Sequence, residues 1–410
     1  MFKAIKKFKQ LSKEKKAMLA LFWVYEFVNT TVGIFIGAFV FLRTGSIGLL
    51  ALFVLIQLTA TTSAFSGFGY LIAKYGYSMK WNYLRSFVVY FISFIWLALT
   101  PHTTSYLLVF GFVNGLGLGL FWLGNHTYEL LYTNNENGDR DFYSSMVQAG
   151  TQIIYIVGPL VGIFLIFLSE IVFKTETLSL LFWIVPLLYL ISLPFLFSLP
   201  HFIPKPITKI EIKSFFRNHV PKKIRWYYLL AGEEEIRVVA VSIFAITALK
   251  TFFNIGLWQI VLGVFSFFIT MLLSNIRYKG NRLQIMAYAI FGFLIAFLFL
   301  IFSNISIYFY IIFSLIIIVF KPMYRVSQHT LDLLSMDFLA CGRSSFYSGL
   351  LYREIILYIG RFIALSLLIF IGFIVNDDIA SAQIGVIVSS VILIINWFVA
   401  RSMTKENYSK

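Results

Sequence analysis

The sequence predicts an all-α polytopic membrane protein of about twelve transmembrane helices, arranged as two six-helix bundles. Hydrophobic residues make up 60% of the 410-residue chain and charged residues only 12%, whereas a soluble domain carries about 25% charged residues. So few ionisable groups could not solvate the surface of a soluble protein of this size. Apolar segments also recur at close to the roughly 20 residues that a helix needs to cross the hydrocarbon core.

Twelve such segments can be placed along the chain. They lie near 17–42, 46–73, 82–100, 104–132, 142–169, 177–199, 226–249, 253–275, 283–303, 305–334, 345–375 and 379–400. A basic tail, 1–16, precedes them, a polar linker occupies 200–225, and a second tail occupies 401–410. The chain is therefore predicted to form an N-terminal bundle, 17–199, and a C-terminal bundle, 226–400.

The distribution of positive charge predicts the orientation. With twelve helices, nearly all Lys and Arg residues of the loops and tails face the side of the two chain ends, and the opposite side has only Arg43, Lys174 and Lys250. Because positively charged loops stay in the cytoplasm, we expect both termini there, in a bacterial plasma (inner) membrane. Contact with anionic lipid accounts for the net charge of +15, so no nucleic-acid partner is expected.

An internal repeat relates the two halves. The fourth predicted helix ends in an amide-His-Thr-x-acid-Leu-Leu motif that begins at Asn125, and the tenth ends in the same motif beginning at Gln328. Six helices separate the two copies, so both copies have the same orientation in the membrane. This spacing indicates a parallel duplication of a six-helix unit about an axis along the membrane normal.

The loop between the second and third predicted helices carries Gly69, Ala73, Gly76 and Lys80. Together with the twelve duplicated helices and the cytoplasmic termini, this loop resembles the major facilitator superfamily, in which it reads G-x-x-x-D-x-x-G-R-[KR]. Gly69 and Gly76 match, Ala73 replaces the acid, and the basic pair is reduced to Lys80. The resemblance implies a transporter with a central cavity lined by the first, fourth, seventh and tenth helices.

The fifth predicted helix contains Gly158, Pro159 and Gly162, which resemble the core of the superfamily's antiporter motif, G-P-x-x-G. Glycine permits close helix approach and proline bends a helix, so an ordinary packing kink is the alternative interpretation.

The tenth predicted helix carries four ionisable residues on one face. Lys321, Arg325, His329 and Asp332 follow at i, i+4, i+8 and i+11, a spacing that aligns them along one side of a helix. Ionisable groups at membrane depth are costly and mark functional sites. Lys321 is expected near the membrane centre, so Lys321 and Arg325 are predicted to receive an anionic group.

Three sets of candidate residues follow, and the resemblance implies that Glu26, Arg237, Lys321 and Arg325 face the cavity. Substrate binding is assigned to Lys321, Arg325, Arg237, Trp122 and Asn29. Proton coupling is assigned to Glu26, Glu234, Glu129 and Asp332, because buried carboxyl groups can exchange protons near neutral pH. Gating is assigned to Gly69, Gly76, Lys80, Gly158, Pro159, Gly162, His126 and His329. The alternative for the charged residues is a set of fixed ion pairs that orient the bundles.

We therefore predict a secondary active transporter with alternating access, coupled to protons, that exports a small organic or lipid-like molecule with an anionic group. Its expected partners are that substrate, protons or another coupling ion, and membrane lipids, and we expect a monomer. One alternative is a membrane-embedded enzyme acting on lipid through His126 or His329, although a duplicated active site is unusual. The other is a transporter-like receptor or scaffold. No cofactor or metal is expected, since one His and one acid per helix is a thin ligand set.

Overall fold

The computed structural model describes residues 8–9, 11–133, 139–205, 222–275, 282–339 and 346–407, and the statements below concern these residues. This part of the chain is built from helices and contains no strand. We call the membrane crossings spans 1 to 12. They are Lys13–Thr44, Ile47–Tyr75, Lys80–Leu99, Thr104–Tyr132, Asp139–Phe167 with its continuation Leu168–Val172, Ser179–Phe197, Lys222–Ala231 with Glu234–Leu249, Phe252–Asn275, Arg282–Ile301, Ile307–Leu339, Phe346–Val375 and Asp378–Asn407.

The predicted fold class is confirmed. Eleven of the described spans are long and apolar enough to cross a membrane, so the chain is a multi-pass integral membrane protein of two six-helix bundles. Span 1 begins earlier than predicted because the Ser12 side chain accepts a hydrogen bond from the Lys15 N–H (3.3 Å) and caps the helix. The linker falls largely within 206–221, outside the described residues, so the exact division between the bundles stays a prediction.

Span 7 differs from the continuous helix that the sequence predicts over 226–249. It is divided between Ala231 and Glu234, where the N–H groups of Gly232 and Glu233 bond to carbonyls three residues earlier (3.4 and 3.2 Å). This pattern is a tight 3₁₀-type turn. Gly232 lies against the backbone of Gly360 in span 11, and only the lack of side chains at both positions allows the two helices to approach so closely.

The bundles meet along two seams. In one seam, Thr59 of span 2 and Tyr358 of span 11 share a hydrogen bond of 2.8 Å between their hydroxyl groups. In the other, the Ser266 hydroxyl of span 8 donates to Gln152 of span 5 (2.8 Å). Charged residues of spans 1, 7 and 10 act on one another, and we call the region between these spans the space between the bundles.

That space is closed on the side of the membrane opposite the chain ends. Gly37 of span 1 has no room for a side chain against Ser242 of span 7. Phe35 and Phe252 make an edge-to-face contact with ring centroids 6.2 Å apart, again joining the two bundles. The Ile47 N–H donates to the Asp378 carboxylate (2.7 Å) at the same end of the molecule.

Candidate functional site

Span 1 departs from regular α-helical geometry directly after Glu26. Residues Asn29–Gly33 form one π-helical turn, and the Thr30 hydroxyl donates to the Glu26 carbonyl (2.8 Å) just before it. Single π turns inside α-helices occur frequently at functional sites. This turn separates half-buried Glu26 from the part of span 1 that packs on span 7, and the side chain of Asn29 is exposed beside it.

Span 10 supplies two cations one turn apart. Lys321 is exposed, and among the described residues it has no ion-pair partner within 4.0 Å. The Arg325 side chain is 57% exposed, and its Nη2 atom lies 3.7 Å from Glu234 Oε1 of span 7. The predicted alignment of these two residues on one face is therefore present in the structure.

Charges from both bundles act on one another across the space between the bundles. The Glu26 side chain of span 1 makes no hydrogen bond or ion pair among the described residues, and the charges that act on it are those of Arg325 and Lys321. Lys321 in turn is influenced by Arg325, Glu234 and Glu26. The charged side chains of spans 1, 7 and 10 are therefore close enough to influence one another between the two bundles.

Two aromatic residues of the N-terminal bundle lie near these charges or their helices. Tyr155 of span 5 lies close enough to be influenced by both Glu26 and Arg325, and the sequence analysis missed it because a single tyrosine in an apolar helix gives no signal. Trp122 of span 4 is partly exposed, and its ring stacks on His126 with centroids 5.2 Å apart. Trp122 also meets Tyr25 edge to face at 5.6 Å, so its indole is held by packing.

Arg237 does not lie where the sequence predicts, which is facing the central cavity. Its Nη1 atom bonds to both oxygens of Glu233 (2.7 and 2.6 Å), and Ser389 of span 12 donates to the same carboxylate. The Arg237 guanidinium also lies over the Phe297 ring of span 9 (5.7 Å). Because Arg237 follows Glu233 by one helical turn, it shares the face of that carboxylate, inside the C-terminal bundle. The expectation that it faces the cavity is wrong.

The acids predicted at the ends of spans 4 and 10 lie apart from Lys321. Asp332 is paired with Arg353 of span 11 (3.4 Å). Glu129 lies 3.9 Å from His126 Nδ1 within span 4. The side chain of His329 lies outside the described residues. Proton coupling by Asp332 and Glu129 therefore stays a prediction that the cavity geometry does not itself support.

The motif between spans 2 and 3 has identifiable contacts. The Gly69 carbonyl accepts a hydrogen bond from the Tyr347 hydroxyl of span 11 (3.2 Å), so this position belongs to a seam between the bundles. Gly76 ends span 2 with φ +68°, a left-handed conformation that favours glycine. The buried Lys80 ammonium donates to the Phe197 carbonyl at the end of span 6 (3.0 Å). Of the three, Gly69 is the one with a hydrogen bond to the other bundle among the described residues.

The antiporter-like segment packs span 5 onto the π turn of span 1. A side chain at Gly158 would collide with Thr30, and one at Gly162 would lie 2.7 Å from the Thr31 carbonyl. Pro159 lies between them, inside the helix. These contacts indicate that the segment packs span 5 against span 1.

We expect Gly158→Ala to destabilise the protein, because the added methyl group overpacks a contact with no space. The expected loss is about 1–3 kcal/mol, measured as a lower midpoint of thermal unfolding in detergent. Gly67→Ala is the matched control, since nothing lies within 4 Å of a side chain at Gly67. Equal midpoints for the two variants would contradict the packing role.

Comparison with protein-family models gives no match, and comparison with curated protein sequences gives none either. Solved structures match over nearly the whole chain. The nucleoside transporter NupG has 13% identity and a TM-score of 0.61, with 96% of this chain and 98% of that chain covered. The human organic anion transporter MFSD10 has 12% identity and a TM-score of 0.60, with 95% and 99% covered.

A structure from work on substrate recognition in proton-dependent oligopeptide transporters matches with 11% identity and a TM-score of 0.66. It covers 96% of this chain and 100% of that chain. All three come from work on transporters. At these identities the likeness shows the fold alone.

Proposed function

Because this chain has the fold of major facilitator superfamily transporters, we propose that it is a proton-coupled secondary transporter of a small organic or lipid-like molecule with an anionic group. One observation carries the proposal. Lys321 and Arg325, both on span 10, have exposed side chains, and the acids that act on them come from both bundles. Transport then proceeds by alternating access, with the closed side described above opening as the bundles rock about the two seams.

The energetics of the two cations support an anionic ligand. A charged side chain at the bilayer centre costs at least about 2.5–3.5 kcal/mol, so such residues are retained where they meet water, a partner or a substrate. Arg325 has only a long ion-pair contact with Glu234 (3.7 Å), and Lys321 has no ion pair or hydrogen bond among the described residues. A carboxylate, sulfonate or phosphate entering the cavity would meet both cations, and the planar guanidinium suits two-point contact with such groups.

Glu26 is the coupling residue in this proposal, because it acts on the same two cations from the other bundle. When Glu26 is ionised, its negative charge opposes an incoming anion. When it is protonated, that opposition is lost, so proton and anion bind together. Proton binding at Glu26 would thereby strengthen substrate binding, and by thermodynamic linkage the substrate would strengthen proton binding by the same factor.

Two features bear on the direction of transport, and they point in opposite directions. The antiporter-like segment led to the expectation of export, but Gly158 and Gly162 make packing contacts. Simultaneous binding of proton and anion instead favours their movement together. We propose co-transport on this ground, in a monomer whose termini lie in the cytoplasm of a bacterial cell. Accumulation of substrate in right-side-out vesicles under an inward proton gradient would support it, whereas accumulation in inverted vesicles with an acidic lumen, where protons leave as substrate enters, would restore export.

The proposed binding site can be tested by ligand stabilisation. Purified protein is heated with matched anionic, cationic and zwitterionic compounds, and we expect anions to raise the unfolding midpoint most. Lys321→Ala should abolish that gain, while Lys74→Ala, which removes an exposed lysine at the end of span 2, should retain it. A gain that persists in Lys321→Ala, or a preference for cations, would overturn the anion site.

A further inference from the structure

A hydrogen bond joins the two bundles on the closed side, at the first residue of span 2. The Ile47 N–H donates to the Asp378 carboxylate of span 12 over 2.7 Å. Because Ile47 begins its helix, its N–H has no carbonyl acceptor within that helix. The Ser46 side chain accepts from the Leu49 N–H and leaves the Ile47 N–H to the other bundle. Asp378 therefore completes the N-terminus of a helix that belongs to the opposite bundle.

The turn between spans 11 and 12 brings Asp378 to this position. Span 11 ends at Val375, and Asn376 follows in a left-handed conformation with φ +53°. The Asp377 side chain accepts a hydrogen bond from the Ala380 N–H (2.7 Å) and so caps span 12, its own helix. Asp378, the next residue, bonds across to span 2 instead. Two neighbouring acids therefore serve different helices, one in each bundle.

The start of span 2 is packed tightly against the C-terminal bundle. The Ile47 side chain is only 1% exposed. A side chain at Gly372 of span 11 would lie 3.1 Å from the Ile47 side chain and 3.5 Å from the Gly48 nitrogen. Spans 11 and 12 thus both meet the first turn of span 2, and the bundles cannot separate here without breaking the hydrogen bond to Asp378.

This hydrogen bond differs in kind from the other contacts that close the same side. Gly37 against Ser242 and Phe35 against Phe252 are packing contacts between neutral groups. Asp378 places a negative charge at a helix N-terminus, where the unpaired N–H groups carry partial positive charge. A charged acceptor also makes a hydrogen bond roughly twice as strong as a neutral one. The contact therefore adds a directional, charge-assisted attraction between the bundles on the closed side.

We propose that the Asp378 carboxylate and the Ile47 N–H form a latch that holds this side of the protein shut. The latch stabilises the conformation that is closed here, and it is released when the bundles separate on this side. It acts on the ratio of the two conformations and requires neither substrate nor a proton gradient. Its contribution to transport rests on the proposed function, but its effect on the closed side can be measured without transport.

The test measures the distance between the bundles on the closed side by pulsed electron paramagnetic resonance. Spin labels are attached to Thr103→Cys, before span 4, and Asn304→Cys, before span 10, in a Cys341→Ala background; both positions are exposed. Asp378→Ala should raise the ratio of long to short distances by about tenfold, because a charged hydrogen bond is lost only from the closed conformation. Asp377→Ala is the matched control, since it removes the neighbouring acid and leaves the latch intact.

A second variant removes the donor of the same hydrogen bond. Ile47→Pro has no N–H, and proline is well tolerated at the first position of a helix. Ser46 has the extended conformation that a residue before proline requires (φ −149°, ψ 130°). Ile47→Pro should shift the distances in the same direction as Asp378→Ala. Ile47→Val, which trims the side chain but keeps the N–H, should shift them less.

The double variant decides whether Asp378 and Ile47 act as partners. If they form one latch, Ile47→Pro with Asp378→Ala should shift the ratio no further than the larger single shift. If one single variant does not fold, the other still decides. Unchanged distances in a folded Asp378→Ala or Ile47→Pro protein, an equal shift in Asp377→Ala, or multiplied shifts in the double variant would overturn the latch. The distances are read without substrate, so a failed anion site leaves this result readable.

Discussion

Lys321→Glu should reduce substrate transport by at least about 100-fold. The change removes a cation that has no contact partner among the described residues and places a carboxylate beside Glu26 and Glu234, whose charges act on this position. Loss of a charge-assisted contact costs about 1.5–3 kcal/mol, and repulsion between the new carboxylate and an anionic substrate adds to it. Initial rates in proteoliposomes, with protein insertion checked by labelling, measure the effect.

Lys321→Arg is the matched control, because it keeps the positive charge at the same point of span 10. It should retain a measurable part of the wild-type rate, with the main change in KM, because the position of the charge shifts. If Lys321→Glu and Lys321→Arg transport equally well, the charge at this position has no role in substrate recognition.

Glu26→Gln should abolish accumulation driven by a proton gradient while leaving downhill movement of the substrate intact. The amide has nearly the shape of the carboxyl group but carries no exchangeable charge, so binding no longer depends on protonation at this site. The measurement compares uptake in proteoliposomes with an imposed pH gradient against exchange of labelled for unlabelled substrate without one. The ratio of the two should fall to about the level without a gradient, since the linkage is removed.

Glu170→Gln serves as the control for this experiment, because Glu170 is an exposed acid in the last turn of span 5. It should leave the ratio unchanged. Gradient-driven accumulation that survives in Glu26→Gln would remove Glu26 from the coupling mechanism.

The fold could be predicted from the sequence because the membrane requires each span to be long and apolar. Both properties can be counted directly in the amino-acid sequence. Lys321 and Arg325 could be placed on one face because residues four positions apart lie on the same side of a helix. Arg237 could not be placed, because its orientation depends on the turn at Gly232, which arises from backbone contact with Gly360. Likewise, the hydrogen bond from Ile47 to Asp378 requires spans 2 and 12 to be packed before it can be seen.

The central claim is that Lys321 and Arg325 border a water-filled space. Labelling of a cysteine placed beside them tests this claim most directly. Asn29, exposed next to Glu26, is replaced by cysteine in a protein whose single native cysteine, Cys341, is changed to alanine. Ile92→Cys, in an exposed apolar region of span 3, is the lipid-facing control. We expect membrane-impermeant thiol reagents to modify Asn29→Cys from the side of the chain ends and to leave Ile92→Cys unmodified. Modification of Asn29→Cys should be faster with an anionic reagent. Modification of Asn29→Cys only by lipid-soluble reagents would contradict it.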